Sequence, residues 1–292
     1  MSRTEREDCA GERGIGGFLR RLIPGVPFLE RAEVEEEIEV ARPESGVLRI
    51  HNSNGRTRIT GEDRDDLLIT ASKTARAESE AAAKEVLENI QLVFGETPEA
   101  LDLEVEVARR WNRRGAANLW VRMPRDMSVW VAAANGRVNV EGIHGHVRAR
   151  STNGSATICN VVGRVEVATT NAKVCCQCIC GALSARSSNG KIEIEGHRGG
   201  VKASTSNGLI RASFDALENG GIELATSNGR IVLDLPQVVD AEVDIRVDNG
   251  VIRNDRELCG ASRESHGRVV GRLGKGGALI KLRTSNGSVN IH

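Results

Sequence analysis

Four cysteines fall within six residues, at Cys175, Cys176, Cys178 and Cys180, the densest set of potential metal ligands or nucleophiles in this 292-residue chain. Zinc or an iron–sulfur cluster needs thiolates that converge tetrahedrally, usually from two separated pairs. The run Val174-Cys-Cys-Gln-Cys-Ile-Cys180 reads instead as an extended strand, whose alternation sends neighbouring thiols to opposite faces. Aligned on the repeat described below, Cys176 takes the inward place of Val140 and Cys178 the place of Gly142. Cys175 points outward, with Cys159 one repeat earlier as its nearest candidate partner. The cluster therefore reads as small buried or idle thiols, with no metal and no cofactor expected.

The remaining polar candidates are dispersed. His144, His146 and His197 fall near glycine-rich corners but share no stacked position, so they are expected at surface turns and form no ligand set. Glu141, Glu193, Glu195 and Asp234 do not form the paired carboxylates of a glycosidase. No Gly-rich stretch opens a helix, which excludes a phosphate loop. In Arg109-Arg110-Trp111-Asn112-Arg113-Arg114-Gly115, arginine beside tryptophan has the chemistry to stack on a base or grip a phosphate. One such loop on a neutral chain reads instead as a solvated hairpin loop with Trp111 over a sheet. No catalytic residues are assigned.

What positions these residues is a repeat. Asparagine recurs at Asn135, Asn153, Asn171, Asn189 and Asn207, a step of 18 taken four times, then at Asn228, Asn249 and Asn286, with an early copy at Asn54. Glycine follows each except Asn171, and Ser or Thr precedes most of them. A fixed period of this length marks a repeat architecture. Between corners, Val138 and Val140, then Val147 and Ala149, alternate with polar neighbours, the signal of short half-buried strands. Asn and Gly both tolerate positive φ, so each pair is read as a corner.

An antiparallel meander with Asn-Gly hairpins also fits this grammar. It would leave a wide apolar face with a single helix to cover it, and it gives no reason to hold an 18-residue register. Stacked coils close on themselves and place like residue over like at about 4.8 Å. The reading is an all-β, single-stranded β-solenoid (β-helix) with 18–21-residue coils. Its thin core is Val, Ile, Leu and Ala, consistent with 2% aromatic content. An α-helix is expected over about 77–92, with Ser79 as its cap and Ala83, Val86, Leu87 and Ile90 on one face, covering the N-terminal end of the stack.

In order, residues 1–43 read as a mobile tail, with a short helix near Gly17–Ile23 and then an extended acidic segment, Glu33–Val40. Residues 44–130 hold the first coil or coils, with Leu67 and Ile69 as the return strand, the inserted helix and irregular strands. Residues 131–292 hold the regular repeats, interrupted by a polar loop at about 254–268. The last strand ends the chain, so that end is expected to be thinly capped.

Forty basic residues balance 40 acidic ones, which argues against nucleic acid or an anionic membrane as general partners. No apolar run is long enough for a transmembrane helix. The charged N-terminus and seven cysteines without scaffold spacing suggest a cytoplasmic setting, with the cell surface by a non-standard route as the alternative.

Several blocks carry a resemblance. They are Arg58-Ile-Thr-Gly61-Glu-Asp-Arg-Asp65, the inserted helix, Val121-Arg-Met-Pro124-Arg-Asp126, the Ser/Thr-Asn-Gly corners, Leu235-Pro236 and Gly276-Gly-Ala-Leu-Ile-Lys-Leu-Arg-Thr-Ser-Asn-Gly-Ser-Val289. Over about residues 40–292 the chain resembles the bacterial β-strand-repeat proteins of the DUF4097 family, often labelled adhesins. The resemblance implies a right-handed β-solenoid-like fold and supplies no catalytic residues. The functional expectation is a non-enzymatic structural or interaction protein that binds a protein or glycan through its ladder faces. The alternatives are a self-assembling, bactofilin-like scaffold and, less favoured, a carbohydrate-active enzyme.

Overall fold

The computed structural model of this protein describes residues 30–107, 114–217, 220–264 and 267–292. The expected Gly17–Ile23 helix and the Arg109–Arg113 part of the basic loop lie outside them. In chain order, β1 (Glu30–Ala41), β2 (Val47–Asn54), β3 (Thr57–Glu62) and β4 (Asp66–Ala77) precede α1 (Glu80–Glu88). Next come β5 (Ile90–Glu96), β6 (Leu101–Val107) and β7 (Arg114–Pro124). The repeats begin with β8 (Ser128–Asn135), β9 (Val138–Glu141), β10 (Val147–Ser151), β11 (Ala156–Val162), β12 (Val165–Thr169) and β13 (Val174–Cys180). They continue with β14 (Leu183–Ser187), β15 (Ile192–Arg198), β16 (Val201–Asn207), β17 (Ile210–Ala216) and β18 (Ile222–Asp234). Last are β19 (Ala241–Asn254), β20 (Cys259–Glu264), β21 (Arg268–Leu273) and β22 (Ala278–Ile291).

The strands stack as a solenoid. Val138 lies beside Ala156 in a parallel pair, and Ala156 beside Val174. Each coil contributes one strand to each of two faces. Face one runs β8–β10–β12–β14–β16–β18 and face two β9–β11–β13–β15–β17–β18, all parallel. Period-2 alternation then sends Val147, Val165, Leu183 and Val201 into the same buried column, and Val138, Ala156, Val174, Ile192 and Ile210 into another. Closely spaced inward columns leave room for branched aliphatic side chains and little else.

Both ends depart from simple succession. β2 and β3 pair with β8 and β9 on one side and with β6 and β7 on the other. The coil 47–62 is therefore slotted between 101–124 and 128–141, which follow it in sequence. At the other end β22 lies between β18 and β19, parallel to both. The expectation of a bare C-terminal strand is corrected: the last coil of the sequence is the second from the end of the stack. β19 is outermost, and the antiparallel ribbon β21–β20 extends its face-one half. The polar loop expected at 254–268 includes β20.

Two further expectations change at the first end. Leu67 and Ile69 do not return a coil; they lie on β4, antiparallel to β7, and β4 carries β1 on its other edge. The acidic segment is thus a paired strand, not part of a tail, because β4 offers it a ladder of backbone partners. β5 pairs antiparallel with β6. α1 packs against β1 and β4 and touches β5 and β7; it is shorter than the expected 77–92, because Ala77 ends β4 and Ile90, expected on the helix face, opens β5. The Ser79 Oγ accepts the Ala82 N–H at 3.2 Å, and Ala82, Ala83 and Val86 are buried.

The corner glycines follow from stacking more than from backbone angle. Gly136, Gly154, Gly190, Gly208 and Gly229 have no positive φ, whereas Gly55, Gly250 and Gly287 do. At Gly154 a Cβ would land on the carbonyl oxygen of Gly136, and at Gly190 on that of Ala172. The obstacle is backbone, which cannot yield as a flexible side chain can. Gly190→Ala should therefore cost about 1–3 kcal/mol, read as a lower urea midpoint with an unchanged slope. An unchanged midpoint would show that the corners have slack.

Candidate functional site

The outward positions form the exposed surface of the stack, and its most continuous feature is the asparagine corner. Asn135 donates its side-chain amide to the Asn54 Oδ1 at 3.1 Å, and Asn153, Asn171, Asn189 and Asn207 each donate to the one before at 2.9–3.0 Å. Asn228 continues to Asn207 at 3.0 Å, Asn286 to Asn228 at 2.9 Å and Asn249 to Asn286 at 3.1 Å. The slotted C-terminal coil thus places Asn286 before Asn249, an order the sequence does not reveal. Head-to-tail amides polarise one another, and the ladder acts as a unit.

Two rows of hydroxyls flank it. Ser151, Thr169, Thr205 and Thr284 are buried and donate to the corner carbonyls of Gly136, Gly154, Gly190 and Gly229 in the neighbouring coil, at 3.2–3.4 Å. Thr152, Thr170, Ser188, Ser206, Ser227 and Ser285 are exposed beside the asparagines. The result is a flat strip with amide and hydroxyl groups repeating at the coil spacing, roughly 4.8 Å.

The charged outward residues are mostly neutralised within the protein. On face one Arg148 meets Glu166 at 3.6 Å and Lys202 meets Glu223 at 2.9 Å. Arg49 lies 4.5 Å from the Trp130 ring centroid and bonds Glu99 at 3.0 Å. On face two Glu193 is held between Lys173 and Lys191, which keep its carboxyl below the ordinary range. Gln177 bridges the Cys159 thiol at 3.5 Å and Glu195 at 2.8 Å.

The cysteines diverge. Cys176 is fully buried in the column of Val140 and Ile158, Cys175 is half-buried on the outer side, and Cys178 and Cys180 are exposed. Burial, then the neighbouring Cys175, pushes the Cys159 thiol up to about 11, and burial raises Cys175 and Cys176 too. These are poor thiolates at neutral pH. Among the described residues no three His, Cys, Asp or Glu side chains converge.

One histidine expectation is corrected. His144 is exposed and His146 half-buried, but His197 is fully buried in β15, edge-on to Phe214 at 5.7 Å. A bulge shifts the alternation between Ile194 and His197 and turns the ring inward. Both ring nitrogens lack a well-formed hydrogen bond. The same bulge position recurs at Gly142, Asn160, Cys178 and Gly196, with φ of 73°, 54°, 52° and 59°. Sequence reasoning missed this left-handed column, although the 18-residue step from Gly142 to Gly196 was a signal for it.

The family model described as Toastrack DUF4097 matches residues 47–292. No curated protein matches the chain. Among solved structures, one of a putative adhesin from Bacteroides fragilis is 12% identical, with 89% of this chain and 97% of that chain covered and a TM-score of 0.49. A putative cell adhesion protein from Clostridium sporogenes is 10% identical, covering 89% and 99%, with a TM-score of 0.25. A putative lipid binding protein from Parabacteroides distasonis is 11% identical, covering 89% and 96%, with a TM-score of 0.38.

Cys178 carries the left-handed strain that its glycine counterparts avoid, about 1–2 kcal/mol for a non-glycine residue. Cys178→Gly should raise stability by ~1 kcal/mol, measured by urea unfolding; a destabilised variant would show that the thiol packs usefully. Burial pushes the His197 pKa down, against a smaller upward pull from the backbone of Gly200 and Gly199. The unfolded chain then binds this proton first as pH falls below about 6.5, so stability drops from there toward the lower folded-state value. His197→Ile, which copies Ile179 from the same column, should flatten that part of the pH–stability curve. An unchanged slope would remove His197 as the cause.

Proposed function

This chain belongs to the Toastrack DUF4097 family, and from that premise we propose that it is a non-enzymatic interaction protein. It binds a protein or glycan surface through its ladder faces. The observation that carries this reading is the asparagine ladder from Asn54 to Asn249 with the exposed hydroxyl row beside it. Stacked coils hold these groups rigidly, so a partner with its own repeat meets many weak contacts without paying to order the surface. No described helix is long and apolar enough to cross a membrane.

The self-assembling scaffold is less well supported. β1, one of two edge strands at the first end with β5, carries exposed Glu33, Glu35, Glu37 and Glu39, charges that blunt edge-to-edge pairing there. The β21–β20 ribbon covers part of the other end.

The test is a glycan and protein array probed with the parent chain and with a Ser188→Glu/Ser206→Glu variant. These side chains are exposed, so folding should be preserved, checked by circular dichroism. Binding by the parent that falls at least tenfold in the variant is expected. A ligand bound equally by both would place recognition elsewhere.

A further inference from the structure

Face one holds a row of exposed arginines. The outward position three residues after the first buried residue of each strand is Arg150 in β10, Ala168 in β12, Arg186 in β14, Ser204 in β16, Ala225 in β18 and Arg283 in β22. Arg150, Arg186 and Arg283 are exposed, and none forms an ion pair among the described residues. No carboxylate stands at these positions, and β19 continues the row with Arg246, which is bonded to Asp248 at 3.2 Å. Those in the adjacent outward row are paired: Glu166 with Arg148, Asp244 with Arg268 at 3.0 Å, and Glu223 with Lys202, with a weaker pull on Glu223 from Lys281 and Arg283. The small side chains of Ala168, Ser204 and Ala225 leave shallow depressions between the guanidinium groups. One is lined by Arg150, Ala168, Ser184 and Arg186, with the Arg148–Glu166 pair at its side, the other by Ser204, Ala225, Ser227 and Arg283, with the Arg246–Asp248 pair at its side. The exposed hydroxyl row runs alongside.

We propose that this strip of face one binds a linear anionic polysaccharide, its carboxylates on Arg150, Arg186 and Arg283 and its hydroxyls on the neighbouring Ser/Thr row. The inference rests on the ladder-face reading above and names its ligand class. Guanidinium groups match carboxylates in two-pronged geometry. Arg150 and Arg186 are two coils apart, roughly 10 Å, the scale of a disaccharide unit. The interleaved hydroxyls suit a sugar chain. A nucleic-acid strand would need aromatic stacking platforms between its phosphate contacts, and the strip contains none.

The probe is polygalacturonate, titrated onto the full chain at low and at physiological salt, with dextran as the neutral control. Single-stranded DNA and anionic phospholipid vesicles serve as competitors. The expected result is saturable binding that weakens with salt, exceeds that of dextran, DNA and vesicles, and falls at least tenfold in an Arg150→Gln/Arg186→Gln/Arg283→Gln variant with an unchanged melting curve. Absence of binding at low salt, preference for DNA or vesicles, or equal binding by the variant would overturn it. A variant with a lowered melting curve is replaced by the single changes, of which Arg186→Gln must weaken binding if the proposal holds. If the arginine variant binds as the parent does while the Ser188→Glu/Ser206→Glu variant loses an array ligand, this inference falls and the broader reading stands. If neither variant loses any ligand, both fall.

Discussion

Parallel coils hydrogen-bonded at about 4.8 Å put every residue against its own counterpart one repeat away, and most of the structure is a consequence of that contact. A Cβ at Gly136, Gly154 or Gly190 would strike the carbonyl beneath it, so these corners are glycine without any need for positive φ, and only Ala172 departs from the pattern among the 18-residue repeats. A corner amide meets another amide, so asparagine, which both donates and accepts, propagates where a one-sided group would not. The buried hydroxyls of Thr169 and Thr205 satisfy corner carbonyls that would otherwise be buried without partners. Inward, the same contact rewards Val over Val and Ile over Ile.

A stack of this kind is weakest at its ends, where a coil has one neighbour instead of two. Here neither coil at the ends of the sequence is at an end of the stack. Coil 47–62 and coil 278–291 each have a parallel neighbour on both sides. The outermost positions go to segments from inside the sequence, and these carry antiparallel additions: β4 with β1 at one end, β21 with β20 at the other. Releasing either slotted coil breaks two interfaces, so the topology opposes its release, whereas β1 pairs with β4 alone among the described strands.

The same regularity is what favours the proposed binding role over a catalytic one. Catalysis needs unlike groups brought to one point, whereas stacking brings like groups into lines. The cysteine run shows this plainly: alternation buries Cys176, leaves Cys178 and Cys180 exposed, and burial makes Cys159 and Cys175 weaker acids. What lines of like groups supply is repetition, in amides, hydroxyls and one row of arginines, suited to partners that repeat as well.

The sequence by itself determined the coil. Its 18-residue step, the Val138/Val140 alternation and the recurring Asn-Gly are local or nearest-repeat signals, and parallel stacking is their only economical solution. Ser79 and the alanine-rich run after it likewise announced α1. It did not determine which coils are neighbours at the ends, because Asn249 and Asn286 each open an Asn-Gly corner and chain order alone puts Asn249 next after Asn228. Only the tertiary structure decided that order, by hydrogen-bonding β22 between β18 and β19. It also decided where His197 points, since a single bulged residue reverses the faces of a strand, and it set the arginine row, which exists only once residues as distant in sequence as Arg186 and Arg283 share a column. Periodicity fixes what each residue meets one repeat away; slots, bulges and long-range columns depend on contacts that no local pattern encodes.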